Sequence, residues 1–143
     1  MAAIYVVDAS VAIKRFLQET YTVEARVLLG RMSQGDRLYV PEFCLIECVN
    51  VLWTNVRFRG LPQTDAERFT AQLLALPFQI VPVKKLLPQA LQISLTHQLA
   101  IYDSLYIALA LRLNCPLITV DERQLNAATA CGVVIKPIAD FSA

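Results

Sequence analysis

Apolar residues in this chain form two kinds of pattern, short continuous runs and longer segments with helical spacing. Five short runs bounded by turn-forming residues predict strands, at residues 4–7, 38–40, 78–83, 117–120 and 133–135. Seven segments with helical periodicity predict helices, at residues 11–17, 23–33, 43–59, 64–76, 87–98, 102–113 and 122–130. Strands that alternate with helices are typical of a mostly parallel sheet connected by right-handed crossovers. The pattern therefore predicts an α/β fold.

Two local signals refine this prediction. Thr64 and Glu67 have the spacing of a capping box, so the helix at 64–76 should begin there and form an αα-hairpin with the long helix before it. Pro82 cannot donate a hydrogen bond to a neighbouring strand, so the strand at 78–83 should lie at an edge of the sheet.

Composition limits the kind of protein this can be. A length of 143 residues is usual for one domain, so we expect a single domain over residues 1–143. Hydrophobic residues make up 56% of the chain and charged residues 17%, which predicts that part of the surface is buried in a homo-oligomer. The net charge of +1 provides no overall basic field, so any contact with nucleic acid should be local.

The sequence also bears on location and on cysteine chemistry. No apolar run approaches the ~18 residues that a membrane span needs, and the N-terminal region lacks the features of a secretory leader. We therefore expect a cytoplasmic protein with no membrane partner. The four cysteines form no C-x-x-C pair, so we expect free thiols and no zinc site.

Asp8 stands directly after the first apolar run. A strand with so little polar alternation is covered on both faces, and ligands bind at the carboxyl ends of such strands in open α/β sheets. Asp8 is therefore a candidate site residue. The alternative is that Asp8 or Ser10 caps the helix that follows, and the residues at this position do not decide between the two.

Three further acids stand in equally apolar surroundings. Asp121 follows another apolar strand, so in a parallel sheet it should share an edge with Asp8. Asp103 opens the helix at 102–113 on its buried face, and Glu47 lies within the apolar helix at 43–59. A buried carboxylate needs a partner because an isolated buried charge is costly.

The partner of these acids is either a set of basic side chains or a metal ion. Thirteen lysines and arginines are available, but they are scattered over polar stretches, whereas the acids lie where the pattern is most apolar. A hard divalent cation accounts for the whole set, since Mg²⁺ takes carboxylates, water and phosphate oxygens as ligands. Hydrolysis of phosphodiesters is the natural chemistry of such a site.

The segments around the four acids resemble those of PIN-domain nucleases, and among these the VapC toxins of bacterial toxin–antitoxin pairs. The matching segments are Val-Asp-Ala-Ser at 7–10, Glu-Cys-Val-Asn-Val-Leu at 47–52, Tyr-Asp-Ser-Leu-Tyr-Ile-Ala-Leu-Ala at 102–110 and Thr-Val-Asp-Glu-Arg-Gln-Leu at 119–125. The resemblance implies a PIN-like three-layer fold, with a central, mostly parallel sheet of about four or five strands flanked by helices. It also implies an endoribonuclease that depends on Mg²⁺ or Mn²⁺, forms a homodimer and binds an antitoxin.

The same resemblance assigns roles to individual residues. Asp8, Asp103 and Asp121 would be metal ligands, and Glu47 would complete the acidic site directly or through water. Two hydroxyl residues, Ser10 and Thr119, would orient ligands or water. The alternatives for these two are helix capping by Ser10 and a strand-end hydrogen bond by Thr119.

Other residues give weaker signals. Five basic residues stand near the ends of the motif segments and are candidate contacts to RNA phosphates: Lys14, Arg15, Arg57, Arg59 and Arg123. For each one taken separately, an ordinary solvated surface position is the better interpretation. Trp53 and Tyr106 continue apolar helix faces and are expected in the core or in a dimer interface.

One alternative function remains open at this point. A PIN fold kept only to bind RNA or a protein would be a non-catalytic module. Four acids in apolar surroundings argue against it, because a binding module has no need to retain them.

Overall fold

The computed structural model describes residues 2–142, and the predicted domain boundaries at 1 and 143 lie just outside them. Its sheet has four strands in the order β3-β2-β1-β4, and all three neighbouring pairs are parallel. The strands are β1 (Ile4–Val7), β2 (Arg37–Pro41), β3 (Gln79–Val81) and β4 (Leu117–Ile118). The β3 strand lies at an edge, as Pro82 predicted, and the predicted fold class is confirmed.

Seven α-helices flank this sheet within the described residues. They are α1 (Ala9–Ala12), α2 (Thr22–Gly30), α3 (Phe43–Arg59), α4 (Gln63–Ala75), α5 (Leu87–His97), α6 (Ile101–Leu113) and α7 (Glu122–Ala130). Short 3₁₀ turns extend or connect them at Ile13–Arg15, Arg31–Gln34, Lys84–Leu86 and Ile138–Asp140. In the part of the chain that the structure describes, no helix is long and apolar enough to cross a membrane.

The central helix α6 organises the core. Its residues from Ser104 to Ala110 are all buried, and the helix packs against β1, β2, β4, α5 and α7. A helix that is apolar around its whole circumference belongs inside a domain. Asp103 therefore stands where this buried helix emerges at its N-terminal end.

Several predicted boundaries were wrong. The first helix begins at residue 9 and not at 11, and the third strand covers only residues 79–81.

Three further corrections concern α4, β4 and the last predicted strand. Helix α4 begins at Gln63 after the extended Pro62, so Thr64 lies inside the helix and does not cap it. The side chain of Gln63 donates to Glu67 instead, at 2.8 Å. The β4 strand ends at Ile118, two residues early, because the chain turns toward Asp8 at Thr119.

The third correction concerns the predicted strand at 133–135. It makes a single parallel bridge, from Ile135 to Leu117, outside the named strands. Gly132, with φ of +85°, ends helix α7 and directs the chain back to this edge, but the pairing does not continue.

Candidate active site

The adjacent strands β1 and β4 bring two acids to one edge of the sheet. Val7 is paired with Ile118, and the next backbone N–H, that of Asp8, donates to the Ile118 carbonyl at 3.3 Å. Asp121 follows β4 three residues later. Because parallel strands end at the same edge, both acids lie at the edge where α/β proteins bind ligands.

Asp8 is a buried carboxylate held by two hydroxyl groups. Its side chain and backbone together are 5% exposed. Ser10 Oγ donates to Asp8 Oδ1 at 2.5 Å, and Thr119 Oγ1 donates to Oδ2 at 3.0 Å. Burial raises the pKa of Asp8 to about 7; the two hydroxyl groups lower it, and the nearby acids raise it.

The same two hydroxyl groups also fix the loop after β4. Ser10 Oγ accepts from the Val120 N–H at 3.3 Å, and Thr119 Oγ1 accepts from the Asp121 N–H at 3.0 Å. Asp8 occupies the N-cap position of α1, but no side chain makes a capping hydrogen bond there. The capping alternative for Asp8 and Ser10 therefore finds no support in the contacts.

Asp121 has a structural role besides its place at the edge. It is the N-cap of α7, and its Oδ1 accepts from the Gln124 N–H at 3.0 Å. The residue as a whole is exposed. A carboxylate at a helix N-terminus is stabilised by the backbone N–H groups there.

Asp103 lies in the first turn of α6 and is partly buried. Burial raises its pKa, and the charge of Asp121 raises it further, while the Arg123 guanidinium lowers it. The backbone carbonyl of Asp103 accepts from the side-chain amide of Gln124 at 3.1 Å. Asp103 and Asp121 thus lie near each other at the starts of two neighbouring helices.

Glu47 comes to the site from α3. The Tyr106 hydroxyl donates to Glu47 Oε1 at 2.7 Å, which joins α3 to α6 across the site. Burial raises the pKa of Glu47; the Tyr106 hydrogen bond lowers it, and the charge of Asp103 raises it.

The four acids form a ring of mutual repulsion. The charges of Glu47 and Asp121 raise the pKa of Asp8. In the same way, the charge of Asp103 raises the pKa of Glu47, and the charge of Asp121 raises the pKa of Asp103. Within residues 2–142, the ion pairs are Lys14–Glu19, Arg68–Asp65 and Lys136–Asp140. None includes a member of the ring, so the structure does not support the alternative in which each acid has a basic partner.

The donor set suits a hard cation, with one restriction. All four side chains offer carboxylate oxygens, the ligands that Mg²⁺ and Mn²⁺ take. Within residues 2–142, however, no three acidic, histidine or cysteine side chains lie close enough together to bind a single ion. The arrangement therefore fits a cation that keeps several waters and takes one or two carboxylates, which is the usual coordination of Mg²⁺.

Lys14 was a candidate phosphate contact, and the structure argues against it. It is only 6% exposed, and its Nζ lies 3.8 Å from Glu19 Oε2. Arg15 is partly buried, with its guanidinium 5.7 Å from the centre of the Phe16 ring. Both side chains therefore make contacts with residues close to them in sequence.

The three other arginines differ in their distance from the acids. Arg57 and Arg59 lie at the far end of α3, ten and twelve residues beyond Glu47, which is about 15–18 Å along a helix. Arg123 lies at the site, where it lowers the pKa of Asp103 and its Nη2 donates to the Gln98 carbonyl at 2.7 Å. Only Arg123 among the five basic candidates is placed beside the acidic ring.

Two residues of the site were missed or misread in the sequence. Tyr106 is buried, as expected of a core residue, but its hydroxyl also holds Glu47. Gln124 was not considered, although it contacts both Asp103 and Asp121. A signal was present, because Gln124, Ala127 and Ala128 have helical spacing and form the buried face of α7.

Exposed apolar side chains are grouped in two places. Residues of α3 and α4 line a groove of about 440 Å³, among them Ile46, Val49, Trp53 and Leu74. Trp53 is 58% exposed, which excludes the core as its position and leaves the predicted dimer interface as the other alternative. The second place is one face of α5, where the leucines at 87, 91 and 95 are all exposed.

The PIN domain family model matches residues 5–130 of this chain, which include all four acids. The chain therefore belongs to the PIN-domain family. Ribonuclease VapC12 of Mycobacterium tuberculosis is 30% identical over 118 residues, which cover 82% of this chain and 87% of that protein. Within the PIN-domain family, the chain falls in the VapC group.

Solved structures show the same fold at lower identity. PAE2754 from Pyrobaculum aerophilum has a TM-score of 0.73 and 21% identity, and the match covers 98% of this chain and 94% of that one. VapBC2 from Rickettsia felis, bound to a DNA fragment from their promoter, has a TM-score of 0.67 and 8% identity, and the match covers 94% and 98%. At these identities the two likenesses concern the fold alone.

Proposed function

We propose that this protein is a divalent-metal-dependent endoribonuclease that hydrolyses RNA phosphodiester bonds as the toxin of a toxin–antitoxin pair. The observation that carries the proposal is the ring of four acids at the carboxyl edge of the sheet, with Asp8 buried and no ion pair to any of them within residues 2–142. The family supports it, since the M. tuberculosis relative is named a ribonuclease. We further propose that residues 1–143 act as one domain in the cytoplasm.

Each residue of the ring has a part in this chemistry. Of the proposed ligands Asp8, Asp103 and Asp121, one or two would bind Mg²⁺ or Mn²⁺ directly and the others through bound water, and Glu47 would complete the set directly or through water. When bound, such an ion polarises the scissile phosphate and lowers the pKa of a water molecule. Ser10 and Thr119 keep both oxygens of Asp8 in a fixed orientation. Tyr106 holds one oxygen of Glu47, so these acidic groups need little reorganisation when RNA binds.

Substrate contacts follow from the basic side chains. Arg123, next to Asp103, is the strongest candidate for holding an RNA phosphate, because it is exposed and lies at the edge of the acidic ring. Its hydrogen bond to the Gln98 carbonyl would compete with such a contact. Arg57 and Arg59 would bind only an RNA that extends well along α3.

The direct test is cleavage of single-stranded RNA by the purified protein, with EDTA and with added Mg²⁺ or Mn²⁺. We expect cleavage that requires the metal and is lost in Asp8→Ala, while Glu122→Gln, which removes an exposed acid beside the site, leaves it largely intact. Undiminished cleavage in excess EDTA, or full activity of Asp8→Ala, would refute the proposal.

The alternative function is a non-catalytic module that binds RNA or a protein. One observation favours it, since no three potential ligands within residues 2–142 lie close enough to bind one ion together. The same experiment decides between the two. RNA that binds but remains intact at every metal concentration would establish the alternative.

The proposed partners are an antitoxin and a second copy of the chain. VapBC2 from R. felis, a toxin–antitoxin assembly, shares the fold, and the exposed apolar side chains of α3, α4 and α5 offer surface for association. By resemblance, an antitoxin tail would insert an arginine among the acids and displace the metal. Inhibition should then weaken as the metal concentration rises. Inhibition that is indifferent to metal would indicate that the tail blocks RNA elsewhere.

A further inference from the structure

Gln124 is a fully buried polar residue that contacts two of the four acidic residues, Asp103 through its side chain and Asp121 through its backbone. It has no exposed surface, its backbone N–H donates to Asp121 Oδ1 at 3.0 Å, and its Nε2 donates to the Asp103 carbonyl at 3.1 Å. Its Oε1 is a buried side-chain atom without a hydrogen-bond partner, the one such atom within residues 2–142. The residue was absent from the predicted site.

The unpartnered oxygen follows from the hydrogen bonds around it. Asp121 and Gln124 have the spacing of a capping box, in which the side chain of the fourth residue normally accepts from the N–H of the first. Here Thr119 Oγ1 accepts from that N–H, at 3.0 Å. The side chain of Gln124 therefore does not accept from the Asp121 N–H, and its nitrogen donates to the Asp103 carbonyl of α6.

The amide of Gln124 makes one hydrogen bond and leaves its oxygen without a partner. A buried oxygen without a partner costs stability, and an apolar side chain of similar length would fill the same space without that cost. What the amide provides is a link between the first turns of α6 and α7. Those two turns carry Asp103 and Asp121, whose charges repel each other.

We propose that Gln124 is a positioning residue that fixes the separation of Asp103 and Asp121 and thereby sets the affinity of the site for a divalent ion. This inference rests on the proposed function, because it requires those two acids to bind metal. Residues that support metal ligands in this way typically change metal affinity or activity 10- to 100-fold when replaced.

The test compares Gln124→Met with wild type and with the control Gln72→Met, which makes the same change at an exposed position of α4. Binding of Mn²⁺ without RNA is measured by calorimetry, and thermal unfolding is followed in EDTA. We expect Gln124→Met to bind Mn²⁺ about 10- to 100-fold more weakly. Its melting temperature in EDTA should equal or exceed that of wild type, and RNA cleavage should recover in part at saturating Mn²⁺.

Several outcomes would overturn the inference. Unchanged Mn²⁺ affinity in Gln124→Met would show that the link does not position the acids. A clearly lower melting temperature in EDTA would show that the amide serves the fold. In that case the Mn²⁺ affinity of Gln124→Asn is a second test, because the asparagine amide is one methylene too short to reach α6. Normal Mn²⁺ affinity of this variant would again contradict the positioning role.

The same measurements keep this inference apart from the proposed function. A wild-type protein that binds Mn²⁺ but cleaves no RNA would refute the proposed function and leave the affinity comparison intact. A wild type that cleaves RNA, with Gln124→Met indistinguishable from it at every Mn²⁺ concentration, would refute the positioning role alone. A wild type that does not bind Mn²⁺ would refute both.

Discussion

Replacing Asp8 with asparagine should stabilise the metal-free protein at neutral and alkaline pH. Asparagine has the same shape and can share hydrogen bonds with the Ser10 and Thr119 hydroxyl groups, but it brings no buried charge. In wild type that charge has nearby acids and no ion pair within residues 2–142. The substitution therefore removes a cost that the metal-free fold otherwise carries.

The size of this cost follows from the pKa of Asp8, which burial raises from 3.8 to about 7. Between these pH values the folded protein holds a proton that the unfolded chain has lost, so the free energy of unfolding falls as pH rises. A separation of about three pKa units corresponds to about 4 kcal/mol, a large share of the ~5–15 kcal/mol of a typical domain. The contribution is fully present below pH 4 and is lost as pH rises through 7.

Urea unfolding in EDTA between pH 4 and 8.5, followed by circular dichroism, measures this difference. Wild type should lose stability across the range, and Asp8→Asn should lose much less, although Glu47 and Asp103 contribute with the same sign. The control Glu122→Gln removes an exposed acid nearby and should follow wild type within about 0.5 kcal/mol. Added Mn²⁺ should stabilise wild type far more than Asp8→Asn.

Two results would refute this reasoning. Parallel stability curves for wild type and Asp8→Asn would show that Asp8 does not carry an uncompensated charge in the fold. A metal-free wild type that is more stable than Asp8→Asn at pH 8 would show that a cationic group of the protein pairs with Asp8.

Three further substitutions test the other contacts of the site. Asp103→Asn should melt at or above wild type in EDTA and lose most stabilisation by added metal; marked destabilisation in EDTA would assign Asp103 to the fold. Tyr106→Phe should lower the free energy of unfolding in urea by about 1 kcal/mol. It should also move the onset of RNA cleavage to higher pH, because Glu47 loses the hydrogen bond that lowers its pKa, and an unchanged pH profile would contradict this. Thr119→Val removes one of the groups that lower the pKa of Asp8, so in EDTA its loss of stability should continue to higher pH than in wild type, and a coincident pH midpoint would count against the role of Thr119.

The elements of this fold could be predicted largely because local chemistry and burial agree. Helix α3 ends where the sequence places its end, since Gly60 adopts the left-handed φ of +77° that follows many helices. The start of α4 was misplaced because the capping-box pattern considers only the four residues from Thr64 to Glu67. It takes no account of Pro62, which precedes the first residue of the helix. The prediction of a strand at 133–135 was wrong because the apolar composition of a segment does not determine how many of its residues pair with a neighbouring strand.

The site was predictable in its acids and not in their partners. Polar residues at the ends of apolar strands are conspicuous, which is why Asp8 and Asp121 could be found. Lys14 was read as a surface cation, but the turn after α1 buries its chain beside Glu19. Gln124 was overlooked because glutamine normally indicates a solvated helix face, and only its spacing from the two buried alanines of α7 shows otherwise.

The position of β4 in the sheet has a consequence for how the protein is made. The Thr119 hydroxyl reaches Asp8 across a sequence separation of 111 residues, and β4 joins the sheet beside the first strand of the chain. During synthesis, Asp8 leaves the ribosome long before the segment that carries Thr119, Asp121 and Gln124. A chain emerging N-terminus first can pair β1 with β2 and form α3, yet its acidic edge stays incomplete until β4 and the segment after it have been translated. Nascent chains and early-terminated fragments therefore have Asp8 and Glu47 without the hydroxyl group of Thr119 and without Asp121.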